Sequence, residues 1–406
     1  MKIQTKISIF VGVTLAVIYN LFNIQDNLLN KESLENAILQ ENYPAETHKV
    51  LTEDGFILTI HRIPGRTGSI PVYLQHGLLS SSADWLKSGK GRSLDNGYDV
   101  WMGNARGNVY SQEHVKLSSL EPQFWNFSWH EVGFYDVSAT ILYISKITNN
   151  TMFYVGHSMG GSTFAVMATQ RPHIADNVRA MIGLVPAVYE SHTRHHLLKA
   201  IAVHWETLQS FAHTLGIQKF LTWNIFTDLF FHQLSKVPII GRAYASNLLY
   251  YIFGYNPDQL DYTKLPVFMD KVPAGTSIKL FCHWLQQMTV NEFRNFDYGR
   301  ETNLMIYNST EPPKYDLTKI KIPVAVFLSD NDILVTTEDI VHFYEQVPNK
   351  IGLYDVGHGF NHGDFIWGIN ATELVYNIIL DIFKFKKMNV FKKSTIDYIT
   401  TLHNTY

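Results

Sequence analysis

The feature that most restricts how this chain can fold is the run Gly156-His157-Ser158-Met159-Gly160-Gly161, set between the apolar stretch Met152-Phe153-Tyr154-Val155 and a helix-compatible stretch over residues 162–169. The order is strand, tight turn, helix. A G-x-S-x-G turn holds its serine at the tip of a strained bend, and small residues at 156 and 160 let strand and helix approach closely enough to project the hydroxyl. Ser158 is the candidate nucleophile. A bare G-x-S-x-G arises by chance in long chains, and the strand before it and helix after it are what give this one chemical meaning.

A serine hydroxyl is a weak nucleophile near neutral pH. It needs a histidine to take its proton and a carboxylate to fix that histidine's tautomer and stabilise the imidazolium. In sheets with this elbow the partners follow the serine in the order acid, then histidine. The apolar run 324–328 reads as a strand and is followed by Ser329-Asp330-Asn331-Asp332. The next short strand, 351–356, runs into Gly357-His358-Gly359-Phe360-Asn361-His362-Gly363-Asp364. Asp330 and Asp332 are both candidates for the acid, His358 and His362 for the base, and periodicity does not choose between them. The oxyanion needs two backbone N–H donors, one from the residue after the nucleophile and one from a loop after an early strand. Met159 supplies the first by position. The strand 72–75 ends in His76-Gly77-Leu78-Leu79, where Gly77 permits a close turn and the Leu78 amide can face inward.

Apolar strand candidates also recur at 98–102 and 180–185, with helical patterns between several of them. The stretch 129–147 is predicted to be one helix, with Val132, Tyr135, Ala139, Tyr143 and Ile144 on a common face. Two strand-like runs, 47–52 and 56–62, flank the turn pair Asp54-Gly55. Buried strands alternating with helices predict an α/β chain, a mainly parallel sheet covered on both faces. The alternation breaks after Pro186, and about 135 residues precede the next core strand. A single crossover needs only about 30, so this stretch is read as an inserted helical cap over the carboxyl ends of the strands. Its aromatic run around Phe220, Trp223, Phe226 and Phe230 serves either as the cap's own core or as a mobile lid that meets lipid when open.

With 46% hydrophobic and 17% charged residues the chain is an ordinary globular one. Its formal charge of −3 gives nucleic-acid binding no support. Protonating all 18 histidines would carry that charge to +15, which suits an acidic compartment. Lys2 and Lys6 followed by the apolar stretch 7–18 read as a secretory signal, either removed or retained as an anchor. Asn126, Asn149, Asn308 and Asn370 head glycosylation sequons, Asn126 in an aromatic stretch suggestive of burial. The single cysteine, Cys282, excludes an intrachain disulfide and reads as a buried small apolar residue.

Taken together, Gly156-His157-Ser158-Met159-Gly160, His76-Gly77-Leu78-Leu79 and Asn361-His362-Gly363-Asp364-Phe365-Ile366-Trp367 resemble the acid lipases of the gastric and lysosomal lipase family. Further segments of the resemblance, which spans about residues 40–385, are Thr52-Glu53-Asp54-Gly55-Phe56, Gly103-Asn104-Ala105-Arg106-Gly107-Asn108, Phe124-Trp125-Asn126-Phe127-Ser128 and Pro273-Ala274-Gly275-Thr276-Ser277. By motif, the family's catalytic histidine matches His362, its acid Asp332, and its oxyanion donors Leu78 and Met159. The resemblance implies an α/β-hydrolase fold with a cap and lid and no metal or cofactor. The implied reaction is hydrolysis of triacylglycerols or sterol esters at a lipid–water interface, often at acidic pH. Two departures stand out: the cap lacks the family's cysteine pair, and Met159 replaces a glutamine.

The expected organisation is a signal peptide at 1–22, an α/β-hydrolase core at 40–186 and 318–385, and a cap at 187–317 with a lid at about 218–250. A basic tail at 386–406 completes it. The expected protein is a secreted or lysosomal lipase in peripheral contact with lipid surfaces, with no nucleic-acid partner. Its rivals are an esterase for short or soluble esters and a non-catalytic lipid carrier on a lipase scaffold.

Overall fold

The computed structural model describes residues 34–87 and 97–387. Eleven strands form among them: β1 (Glu46–Leu51), β2 (Phe56–Ile63), β3 (Pro71–Gln75), β4 (Asp99–Met102), β5 (Glu113–His114), β6 (Met152–His157), β7 (Val178–Leu184), β8 (Lys219–Phe220), β9 (Thr276–Ser277), β10 (Val324–Leu328) and β11 (Lys350–Asp355). The main sheet runs β1-β2-β4-β3-β6-β7-β10-β11, with β5 added beside β2. From β4 to β11 every neighbouring pair is parallel, and only the β1–β2 hairpin and its junctions with β4 and β5 are antiparallel. This is the mainly parallel sheet expected from the sequence.

The apolar runs explain the order. Every residue of β3, β4, β6 and β10 is buried, as strands covered on both faces require, whereas edge strand β1 alternates between covered positions, of which only Val50 is fully buried, and exposed ones. Parallel strands end on the same side of the sheet. The segments after β3, β6, β7, β10 and β11 therefore converge at one rim, bringing residues 76–78, 158, 186, 332 and 362 to the same region from distant parts of the chain.

The helix expected over 129–147 exists, but its inward face differs from the predicted one. It begins at Ser128, whose side chain forms a capping box with Glu131, and a π-helical segment Val132–Val137 precedes the regular turns Ser138–Thr148. The wider π turn shifts the register, so Val132, Asp136, Val137, Ile141 and Ile144 are buried, while Tyr135, Ala139 and Tyr143 are only half-buried. The shift has a purpose in packing. It turns Asp136 inward, where its carboxylate takes Arg106 Nε and Nη2 at 2.8 and 2.6 Å, and Arg106 also pairs with Asp54. A buried guanidinium is tolerated only when paired in this way.

The chain between β7 and β10 is mostly helical and carries apolar packing of its own. Helix Ile278–Thr289 packs on His196–Ala202 and Trp205–Thr214, burying Ala202, Phe281, Leu285 and Met288 in one cluster and Ala212, Ile278, Cys282 and Phe296 in another. Burial pushes the Cys282 thiol up to about 12, which leaves it unreactive. The aromatic run is divided: Phe220 stacks on Phe281 at 3.9 Å, whereas Phe226, Leu229 and Phe230 are exposed. All four sequon asparagines are exposed, including Asn126, whose neighbours Trp125 and Phe127 take the burial expected of that stretch. The expected signal segment and most of the basic tail lie outside the described residues. No described helix is long and apolar enough to cross a membrane.

Candidate active site

β6 delivers Ser158 in a conformation that few side-chain-bearing residues adopt, φ 53° and ψ −119°. Its surroundings enforce the strain. The Ser158 N–H donates to the Leu184 carbonyl of β7 at 3.0 Å, and its carbonyl accepts the amides of Gly161 and Ala187 at 2.8 and 3.1 Å. A Cβ on Gly156 would lie 2.7 Å from the Gly160 carbonyl, and one on Gly160 would lie 2.5 Å from the Gln75 carbonyl oxygen. Only hydrogen fits at both positions. Helix Met159–Gln170 starts at the next residue, so the Met159 N–H belongs to the first-turn amides that have no acceptor within the helix, at its positive end.

The loop after β3 lies against this elbow. A Cβ on Gly77 would approach Ser158 Cβ to 3.0 Å. His76 holds the loop in one orientation: its Nε2 accepts the Ala105 N–H at 3.0 Å, so the proton sits on Nδ1 and is donated to the Gly77 carbonyl at 2.7 Å. Burial lowers the His76 pKa, which keeps that neutral tautomer. In a planar trans peptide the carbonyl and the following N–H point to opposite sides. The bond that draws the Gly77 carbonyl toward His76 therefore turns the Leu78 N–H away from it. The sequence pattern pointed to Leu78 but not to the role of His76.

The structure separates the two pairs of candidates. Asp332 is fully buried, its Oδ1 accepting the amides of Leu334 and Val335 at 2.8 and 3.0 Å and its Oδ2 accepting the His362 Nδ1–H at 2.6 Å. Asp330 and His358 are exposed. His362 is itself buried, and with Nδ1 committed to Asp332 its free ring nitrogen is Nε2.

Several residues that carried no sequence signal hold this pair. His157, just before Ser158, donates Nε2–H to the His362 carbonyl at 2.9 Å, and burial lowers its pKa to about 3. From the segment after β7, the Arg194 guanidinium donates to the carbonyls of Asp330 and Asp332, and the Thr193 hydroxyl to that of Ile333. The Phe253 ring lies parallel to His362 at 6.1 Å, and the Phe253 carbonyl accepts the His362 N–H at 3.2 Å. Among the described residues no group of three or more His, Cys, Asp or Glu is arranged to hold a metal ion.

A parallel sheet with a serine at a strained strand–helix elbow is the framework of an α/β-hydrolase, and the chain is a carboxylic ester hydrolase of the serine type. The family models agree: a partial α/β-hydrolase lipase region matches residues 34–89 and the α/β hydrolase fold matches 70–214. Lipase member K of Mus musculus is 32% identical over 88% of this chain and 92% of its own length. Gastric triacylglycerol lipase of Bos taurus is 34% identical over 84% of this chain and 88% of its own, and Lipase 3 of Drosophila melanogaster 37% over 84% and 90%. Among solved structures, a soluble variant of monoglyceride lipase from Saccharomyces cerevisiae shares the fold, with a TM-score of 0.52 and 17% identity over 84% of this chain and 95% of that one. The chain belongs to the α/β-hydrolase lipases, in the family that includes the gastric triacylglycerol lipases.

Proposed function

We propose that this lipase hydrolyses neutral lipid esters, triacylglycerols first and sterol esters as a second class, through Ser158, His362 and Asp332. The observation that carries the reading is the buried 2.6 Å bond between His362 and Asp332 at the same sheet rim as the strained Ser158. His362 Nε2 takes the hydroxyl proton as Ser158 Oγ attacks the ester carbonyl, and Asp332 stabilises the imidazolium. The Leu78 and Met159 amides receive the negative charge on the carbonyl oxygen. Collapse of the intermediate passes the proton from His362 to the leaving alcohol and leaves an acyl-serine. Water, deprotonated by His362, then releases the fatty acid and restores the serine.

Acidic working pH, a secretory route and a lid at about 218–250 belong to the same proposal. Gastric relatives and four exposed sequon asparagines support the route, and the exposed Phe226, Leu229 and Phe230 support a surface that meets lipid. The test is hydrolysis of emulsified long-chain triacylglycerol beside a soluble short-chain ester, from about pH 4 to 8, with Ser158→Ala as control. Serine-dependent triacylglycerol turnover that is strongest below neutrality is expected. Short-ester turnover alone would reduce the protein to an esterase, and lipid binding without turnover would make it a carrier.

A further inference from the structure

One exposed, strained residue of the molecule is apolar and far in sequence from the site residues. Ile239 has φ 65° and ψ −65°, and the Ile240 N–H reaches back to the Pro238 carbonyl at 2.7 Å. That is a γ-turn of the rare, strained hand, here centred on a β-branched residue. Ile239 is 83% exposed, Ile240 67% and Val237 41%, so folding buries little of the two isoleucines and only part of the valine. The turn is nonetheless tightly built. The Gly241 N–H donates to the Val237 carbonyl at 2.8 Å, and a Cβ on Gly241 would lie 2.3 Å from the Leu234 carbonyl oxygen. Strain retained at an exposed apolar point calls for a function.

Charge indicates what that point meets. Lys236 and Arg242, both exposed, flank the tip, and neither has an ion-pair partner among the described residues. From residue 229 to 257 the chain contains no aspartate or glutamate. Exposed aliphatic residues flanked by unpaired cations fit an interface of acyl chains beneath phosphates. Leu229 and Phe230 extend the apolar surface, and the edge of Phe230 packs on Tyr244 at 5.5 Å.

The turn opens helix Ile240–Phe253, whose 14 residues span about 21 Å. Its far end is tied to the site. Beside the bond from His362 N–H to the Phe253 carbonyl, the Gly254 carbonyl accepts Asn361 Nδ2 at 2.8 Å and the Tyr255 carbonyl accepts Asn331 Nδ2 at 3.0 Å. Asn256 Nδ2 donates to the Asp364 carboxyl at 2.8 Å.

We propose that residues 236–242 form a docking tip that seats Val237, Ile239 and Ile240 below the phosphates of a phospholipid-coated surface, with Lys236 and Arg242 paired to those phosphates, and that the helix is a strut holding the His362 loop at a set distance from it. The proposal rests on the lipid-ester reading for its purpose but not for its test. It also divides the expected lid: the strut stays fixed to the histidine loop, and the part free to move lies before residue 240.

The experiment uses the full chain carrying Ser158→Ala, so that vesicle lipid is not consumed, and measures co-flotation with phosphatidylcholine vesicles with and without phosphatidylglycerol. The double substitution Ile239→Ser/Ile240→Ser is expected to lower binding at least 10-fold on both vesicles. Lys236→Gln/Arg242→Gln is expected to lower it more on the anionic ones than on phosphatidylcholine alone, there by about 5-fold for each charge removed. A control, Leu304→Ser/Met305→Ser on the exposed face of helix Arg300–Tyr307, should bind as the parent does. Undiminished binding by the Ile239/Ile240 variant, or an equal loss in the control, would overturn the tip. With Ser158 restored, the tip variants should turn over a soluble short-chain ester at the parental rate while losing emulsified substrate. A loss on both substrates would overturn the strut's separation of docking from chemistry. If the parent hydrolysed neither, the enzymatic reading would fail while flotation still judged the tip.

Discussion

The Ser158 side and the His362 side of the candidate site are held by different means. Ser158 is fixed by its own neighbourhood: the glycines at 156 and 160, the strand β6 behind it, the helix in front, and backbone bonds to the adjoining β7 segment. His362 sits on a loop whose bonds reach across the chain, to Asp332, to the His157 ring, and to residues 253–256 of the insertion. Short-range geometry makes the elbow a motif, and long-range bonds tie the histidine loop to the segment between β7 and β10.

The comparison breaks most completely with Ser158→Ala, which should lower kcat on a soluble ester at least about 10⁴-fold with the fold unchanged by circular dichroism. Asn256→Ala attacks the histidine side from the insertion. It frees one strap on Asp364, and a misplaced base should cost about 10- to 100-fold in kcat with KM little changed. Equal activity of this variant and the parent would show that the Asn256 bond does not position His362. Gly160→Ala attacks the elbow instead and should act through folding, lowering stability by about 1–3 kcal/mol, read as a lower urea midpoint.

The two sides should also answer pH with opposite signs. Burial raises the Asp364 carboxyl from its ordinary 3.8 to about 7, opposed by bonds from the Asn361 N–H and the Asn256 amide. Between pH 4 and 7 the folded state then holds a proton that the unfolded chain has lost, so this group's contribution falls as pH rises through 7. His157, lowered from 6.5 to about 3 chiefly by burial, works the other way: its contribution is present above 6.5 and is lost as pH falls toward 3. Thermal midpoints at pH 4.5 and pH 8 test both. Asp364→Asn should remove part of the loss at pH 8, and His157→Gln, which keeps a donor for the His362 carbonyl, part of the loss at pH 4.5. A variant whose midpoints move in parallel with the parent's would refute the assignment for that side. The smallest effect is expected from Met159→Gln, less than about 2-fold in kcat/KM, because the donor proposed there is the backbone N–H.

Legibility followed the same division. The parallel strands were readable because buried strands are continuous apolar runs, and β10 begins and ends at the predicted residues. The predicted face of the 129–147 helix was displaced because a π turn leaves no mark on a periodicity that assumes 3.6 residues per turn. Asp332 and Asp330 are alike as residues in one short loop. What distinguishes them is that the backbone curls so that the Leu334 and Val335 amides and the His362 ring close around one carboxylate. Arg194, Phe253 and Asn256 carried no signal at all, since each acts through a partner roughly a hundred or more residues away.

By itself the sequence determined the elements whose physics is local: the strained serine turn, which only that spacing of glycines permits, the buried strands, and the chain order of acid before histidine. The residues left two acids and two histidines open, and the resemblance matched Asp332 and His362; the tertiary structure alone decided how that pair meets, how His76 turns the loop beneath Leu78, and that the helix Ile240–Phe253 joins an exposed apolar tip to the histidine loop. Those outcomes depend on bonds between segments far apart in the chain, whose partners exist only after the sheet has brought its strand ends to one rim.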